Sequence, residues 1–189
     1  MFKLLNNYKL IFLAIFLTFL LFLPFIFSSS FALTLFCKMG VLIIFSVAYN
    51  MLLGQTGLLS FGHAIYFGLA GYASIHVLNG INSSILPSMP LIFLPFIGAI
   101  IGLMLGISIG YLSTKRLGTA FAMISLGFCE LVTALTLIFV VFFNGEDGIQ
   151  ADRVIGKSDF LGFTYGPQSE VYYLILFWCS LTVGIMFFL

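Results

Sequence analysis

Charge is scarce in this chain. Only 7% of its 189 residues are Asp, Glu, Lys or Arg, and none of these lies between Met39 and Thr114. Soluble domains carry about 25% charged residues, so this composition excludes one. A formal net charge of +1 leaves no basic face for nucleic acid. Cysteine is equally sparse: Cys37, Cys129 and Cys179 lie far apart in apolar stretches. That spacing suits neither a zinc site nor a disulfide framework, and it reads as small packing residues. The sequence has no phosphate-binding loop, no Cys/His cluster and no nucleophile beside a base. Catalysis, a metal and an organic cofactor therefore have no support.

What is present is hydrocarbon. With 62% hydrophobic residues and a mean hydropathy of +1.23, the chain reads as an all-α, polytopic transmembrane helical bundle. A bilayer core of ~30 Å takes about 20 apolar residues in a helix. Six segments meet that measure: Leu10–Phe27, Phe31–Leu53, Phe61–Leu78, Leu91–Leu112, Thr119–Phe143 and Val171–Leu189. They are expected to form one transmembrane domain over 1–189. The start, MFKLLNNYKL before an apolar run, has no clean small-x-small cleavage site, so a retained first helix is expected. Asn79–Pro90 has the Gly, Pro, Asn and Ser of an exposed turn, and Asn144–Glu170 is a long polar loop.

An even number of spans puts both termini on one side. With Lys3 and Lys9 cytoplasmic, Lys115 and Arg116 fall on that side too, while the outer loop holds Arg153 and Lys157. This distribution predicts a cytoplasmic N-terminus, because Lys and Arg concentrate on the cytoplasmic face.

Within the uncharged run, Gly54, Gln55, Thr56, Gly57, Ser60, Gly62 and His63 interrupt what would otherwise be continuous helix. Gly is a poor helix residue and polar side chains are costly in hydrocarbon. Irregular backbone at membrane depth persists only where protein buries it or where it lines a watery cavity. Two readings follow for residues 54–63: a broken or re-entrant segment beside a transport path, or a tight loop at the membrane surface. On the first, Asn50, Gln55, Ser60 and His63 are candidates for a translocation path.

Glu130, near the middle of the fifth segment, is the other candidate. A carboxylate there costs a few kcal/mol, so it is expected to face the bundle interior and have a partner, either along a path or as a structural tie. Lys38 is a candidate partner. His63 and His76 are thirteen residues apart, about 220° around a helix, and define no metal site. His63 borders the break, and His76 is expected at the interface. Gly98, Gly102, Gly106 and Gly110 recur every fourth residue, a stripe that lets another helix approach closely within the chain or across subunits.

The stretch Asn50–Tyr72, NMLLGQTGLLSFGHAIYFGLAGY, resembles the LivM-like permeases, membrane subunits of ABC importers for branched-chain amino acids. Asn50, Gly54, Gly57, Ser60, Gly62, His63, Ala64, Gly68 and Tyr72 carry the pattern. Arg116–Gly127 followed by Glu130 is similar to the family's R-G-x-Y-F-A-x-x-T-L-x-F-x-E segment, and Asn144–Ile149 to its T-G-G-x-D-G-L loop. The resemblance implies a pathway subunit in a bacterial inner membrane. Its implied partners are a second related permease, two cytoplasmic ATP-binding subunits and a periplasmic substrate-binding protein, and it would bind no ATP itself.

There are departures. Asn144 stands where the family has Thr, and Lys115-Arg116-Leu117 is not its usual lead into the fifth helix. Family members continue into a cytoplasmic coupling loop that seats the ATPase. This chain stops at Leu189 in an apolar run, so an incomplete permease domain without that loop is expected. Close relatives of the subunit type handle urea and short amides. From physics alone, a secondary transporter or channel, or a non-transporting packing or assembly partner, fits the same features.

Overall fold

The computed structural model describes residues 18–27, 29–87, 89–115, 118–154 and 165–188. Residues 10–17 of the expected first span lie outside the described residues, as do Lys3, Lys9, Arg116, Lys157 and Asp159. All regular structure among the described residues is helical. Helix α1 covers residues 18–26, α2 Ser30–Thr56, α3 His63–Asn82, α4 Leu94–Ser113 after a 3-10 turn at Leu91–Phe93, α5 Thr119–Ile138, α6 Val140–Phe143 and α7 Gln168–Phe188. Five of these, α2, α3, α4, α5 and α7, are long and apolar enough to cross a membrane, so the chain is a multi-pass membrane protein.

Several boundaries differ from expectation. Helix α2 runs past Leu53 to Thr56, because the Thr56 hydroxyl bonds back to the Leu52 carbonyl and continues the helical turn. Gly57 then ends it at φ +67°, donating its N–H to the Leu53 carbonyl at 3.0 Å. That is the left-handed helix end that glycine adopts without a Cβ penalty. Helix α3 runs four residues beyond Leu78 into the expected turn. There the Asn79 and Asn82 side chains donate to the Gln150 and Asp152 carbonyls at 3.3 and 2.8 Å. Tertiary bonds thus overrule the turn-like composition of NGIN. The expected fifth span, Thr119–Phe143, is divided at Phe139 (φ −87°, ψ +63°) into α5 and the single turn of α6.

The chain folds as two compact units. A terminal unit takes in α1, α2 up to Val47, and α7; a central unit spans Ala48–Thr164. In the terminal unit Leu33, Cys37 and Tyr172 form the buried cluster. Tyr172 donates its hydroxyl to the Leu20 carbonyl at 2.8 Å, and Ile175 lies 2.8 Å from where a Cβ on Gly40 would sit. Cys37 and Cys179 are buried and unbridged, as packing residues should be. At the start of α7, Glu170 accepts the Tyr165 N–H at 2.6 Å, placing an acid at a helix N-terminus where the dipole favours it.

In the central unit α4 runs antiparallel to α3, and α5 runs parallel to it. The first relation follows from Gly98 abutting Ser74 and Gly102 abutting Ala70. The second follows from contacts of Phe61 and Gly62 with Ser125 at one end and of His76 with Phe142 at the other. Large apolar side chains turn outward: Phe96, Ile100, Leu103 and Ile107 are exposed along α4, on the side away from its glycines. Small residues inward and bulky ones outward is the arrangement that helices packing in lipid require.

The glycine stripe divides in two. A Cβ on Gly98 would lie 2.8 Å from the Ser74 Oγ, whereas Gly106 and Gly110 have no neighbouring atom within 4 Å. Gly98→Leu is therefore expected to overpack the α3–α4 contact and destabilise the protein by roughly 1–3 kcal/mol. Gly106→Ala, which meets no neighbour and removes a poor helix residue, is expected to stabilise it by about 0.4–1 kcal/mol. Thermal unfolding of both variants in detergent checks the difference, and equal midpoints would contradict it.

Candidate functional site

The interruption between α2 and α3 is short, covering residues 57–62. Its backbone must find partners outside a helix. Leu58 donates to the Thr56 hydroxyl at 3.4 Å, and the Ile65 N–H takes the Gly62 carbonyl at 3.0 Å as α3 begins. The Phe61 N–H is bonded across the unit: it donates to the Ser125 Oγ on α5 at 3.1 Å. Ser125 in turn donates to the Ala122 carbonyl one turn back, at 2.8 Å. Gly62 permits this approach. A Cβ there would stand 3.1 Å from the Ser125 carbonyl oxygen and 3.4 Å from its Cβ.

Around this contact Ser60, Gly62 and Ser125 are buried, at 6% exposure for Ser60 and 4% for Ser125. Aromatic rings flank His63: Tyr49 at 5.8 Å between centroids and Tyr66 at 6.4 Å, both edge-on. The break thus sets buried Ser60 between the Ser125 contact on α5 and His63 with its aromatic neighbours. The structure holds it against α5 and leaves Leu59 and Phe61 exposed on its rim.

Not every candidate joins this cluster. Asn50 and Gln55 lie on the last turns of α2 with their side chains exposed. Glu130, expected to face the bundle interior with a partner, is instead exposed and makes no hydrogen bond or ion pair among the described residues. Helical geometry gives the reason. Glu130 lies five residues beyond Ser125, about 140° around α5, so the turn that presents Ser125 to the break presents Glu130 elsewhere. Lys38, its candidate partner, lies in the terminal unit and is also exposed.

Two residues that sequence reasoning passed over are central to the geometry. Ser125 stands where the resembled segment has Thr, so a recurring hydroxyl was the available signal. Tyr49 carried no signal beyond its place beside Asn50. His76, expected at the interface, has a structural role. Its Nε2 lies 2.8 Å from the Phe142 carbonyl, and its ring stacks on Phe142 at 4.3 Å. A carbonyl only accepts, so Nε2 carries the hydrogen.

The third resembled motif is the loop that follows α6. Asn144 takes the left-handed conformation (φ +61°, ψ +19°) and its side chain donates to the Gly148 carbonyl at 2.9 Å. Asn is among the few non-glycine residues that visit this region readily. That accounts for Asn at a place where the pattern has Thr.

These contacts unite three stretches of sequence in one unit: Asn50–Tyr72, the α5 segment and the Asn144 loop. A family model described as the permease component of branched-chain amino acid transport systems matches residues 31–189. The chain belongs to this permease family. No curated protein and no solved structure matches it. As a permease component it is a transport subunit, and it works in a transporter complex with other subunits.

The permease loop offers a direct check on backbone strain. Asn144→Val puts a β-branched residue at φ +61°, and is expected to cost about 1–2 kcal/mol. Asn144→Gly should cost less. Thermal melts of the two purified variants decide it, with Val the lower.

Proposed function

We propose that this permease is a pathway subunit of an ABC importer in a bacterial inner membrane, translocating leucine, isoleucine and valine. In this reading it pairs with a second related permease, two cytoplasmic ATP-binding subunits power the cycle, and a periplasmic protein delivers the solute. The N-terminus is cytoplasmic, which puts the polar break and Lys115 at the cytoplasmic end of the central unit. Asn50, Gln55, Ser60, His63 and Glu130 border the route.

The match over residues 31–189 carries this reading. The docked break adds physical support: irregular backbone persists at membrane depth only where protein buries it or where it lines a watery cavity, and residues 57–62 are held against α5 by Ser125. Glu130 stands on another side of α5. An exposed carboxylate midway along a span is costly in lipid, and a water-filled route between this subunit and its partner relieves that cost. In this reading the energy comes from the partner ATPases.

The test is leucine uptake into vesicles containing the assembled transporter. Uptake is expected to require ATP and to persist when ion gradients are collapsed. Glu130→Gln, which removes the charge proposed to border the route, should lower it. Uptake that stops with the ion gradient while ATP is present would favour a secondary transporter instead. Urea or short amides competing better than leucine would reassign the solute.

A further inference from the structure

The stretch that borders the proposed route lies between helices of the central unit. Residues 57–62 have no regular hydrogen-bond ladder. A Cβ on Gly57 would meet nothing within 4 Å, and Leu59 and Phe61 are 43% and 50% exposed. Against that loose surround, one side chain reaches the break from another element. The Ser125 hydroxyl has one hydrogen and two lone pairs. Its hydrogen is committed to the Ala122 carbonyl at 2.8 Å, which turns the oxygen's free lone pair toward the Phe61 N–H at 3.1 Å. Ser125 is 4% exposed, so bulk solvent does not take its place. Gly62 completes the fit, since any side chain would press on the Ser125 carbonyl at 3.1 Å.

We propose that Ser125 is a positioning residue for transport, its hydroxyl latching the polar break onto α5 and so setting where Ser60 and His63 stand. This rests on the reading of the break as a border of the route. The latch is a single neutral hydrogen bond, strong enough to favour the docked position and weak enough to release without unwinding α3 or α5. Helix α5 thereby couples to the break: a shift of α5 that carries Ser125 away frees Phe61 and exposes Ser60.

The position of the break is read with Ser60→Cys, a near-isosteric reporter that is buried when docked. Labelling by a membrane-impermeant maleimide is followed in the full assembly, after subtracting the parent chain with its native Cys37, Cys129 and Cys179. Adding Ser125→Ala is expected to raise the labelling rate roughly fivefold, the scale of one neutral hydrogen bond. Gly62→Ala should raise it as well, by pushing the break off α5, and Ser125→Thr, which keeps the hydroxyl, should return it toward the parent rate. In chains with Ser60 intact, Ser125→Ala should lower the maximal uptake rate, and Ser125→Thr should restore it.

Unchanged labelling in both Ser125→Ala and Gly62→Ala would overturn the latch. Faster labelling with uptake unaltered would overturn the positioning role while leaving the transport reading intact. If Ser125→Ala speeds labelling but the parent assembly moves no amino acid, the transport reading fails and the docking contact stands.

Discussion

A backbone amide that leaves the helical ladder inside a membrane protein has no water to turn to, and this permease is arranged around that constraint. Several helix ends in its central unit are met by a particular acceptor or donor. Where α2 ends, the Gly57 N–H closes on the Leu53 carbonyl. Where α3 has not yet begun, Ser125 accepts the Phe61 N–H. Near the end of α6, His76 binds the Phe142 carbonyl, and in the polar loop beyond it Asn79 and Asn82 take the Gln150 and Asp152 carbonyls. Helix α3 is central to this. Its far half uses one His and two Asn to fasten irregular backbone, and its near end is fastened by α5. An unsatisfied group in hydrocarbon costs several kcal/mol, which is why polar residues in so apolar a chain gather at the breaks.

Close packing is the second element. In water a helix buries large apolar side chains; in lipid those side chains gain nothing by leaving the surface, and contact area comes from letting backbones approach. Helix α4 shows this inversion, with Gly98 and Gly102 against α3 and Leu103 and Met104 facing out at 63% and 65% exposure. The same logic operates at the break, where Gly62 admits Ser125. The site and the scaffold are thus built by one device, a glycine that lets a hydroxyl-bearing helix come near.

Much of this was legible beforehand. Spans, an interruption within residues 54–63, the loop at Asn144 and the family pattern can all be read along the chain, because hydropathy and glycine placement are local properties. Residue-level roles were less accessible. Ser60 and His63 do lie at the docked break, while Asn50 and Gln55 are exposed on α2 and Glu130 points away from the break. Ser125 looked like an ordinary small residue in an apolar helix, since its role depends on a partner sixty-four positions earlier.

By itself the sequence determined that this protein lives in a membrane, that it is helical, and that its helices fail at stated places. Hydrocarbon admits only chains whose composition satisfies it, and helix-breaking chemistry lies in single residues. Tertiary structure decided how far the helices run and which polar groups meet. Asn79 and Asn82 extend α3 because a distant loop offers them carbonyls; Phe139 divides α5 from α6 and presents Phe142 to His76; Ser125 faces the break because α5 lies parallel to α3. Each depends on a partner far away in sequence, and a one-dimensional pattern holds no term for that distance.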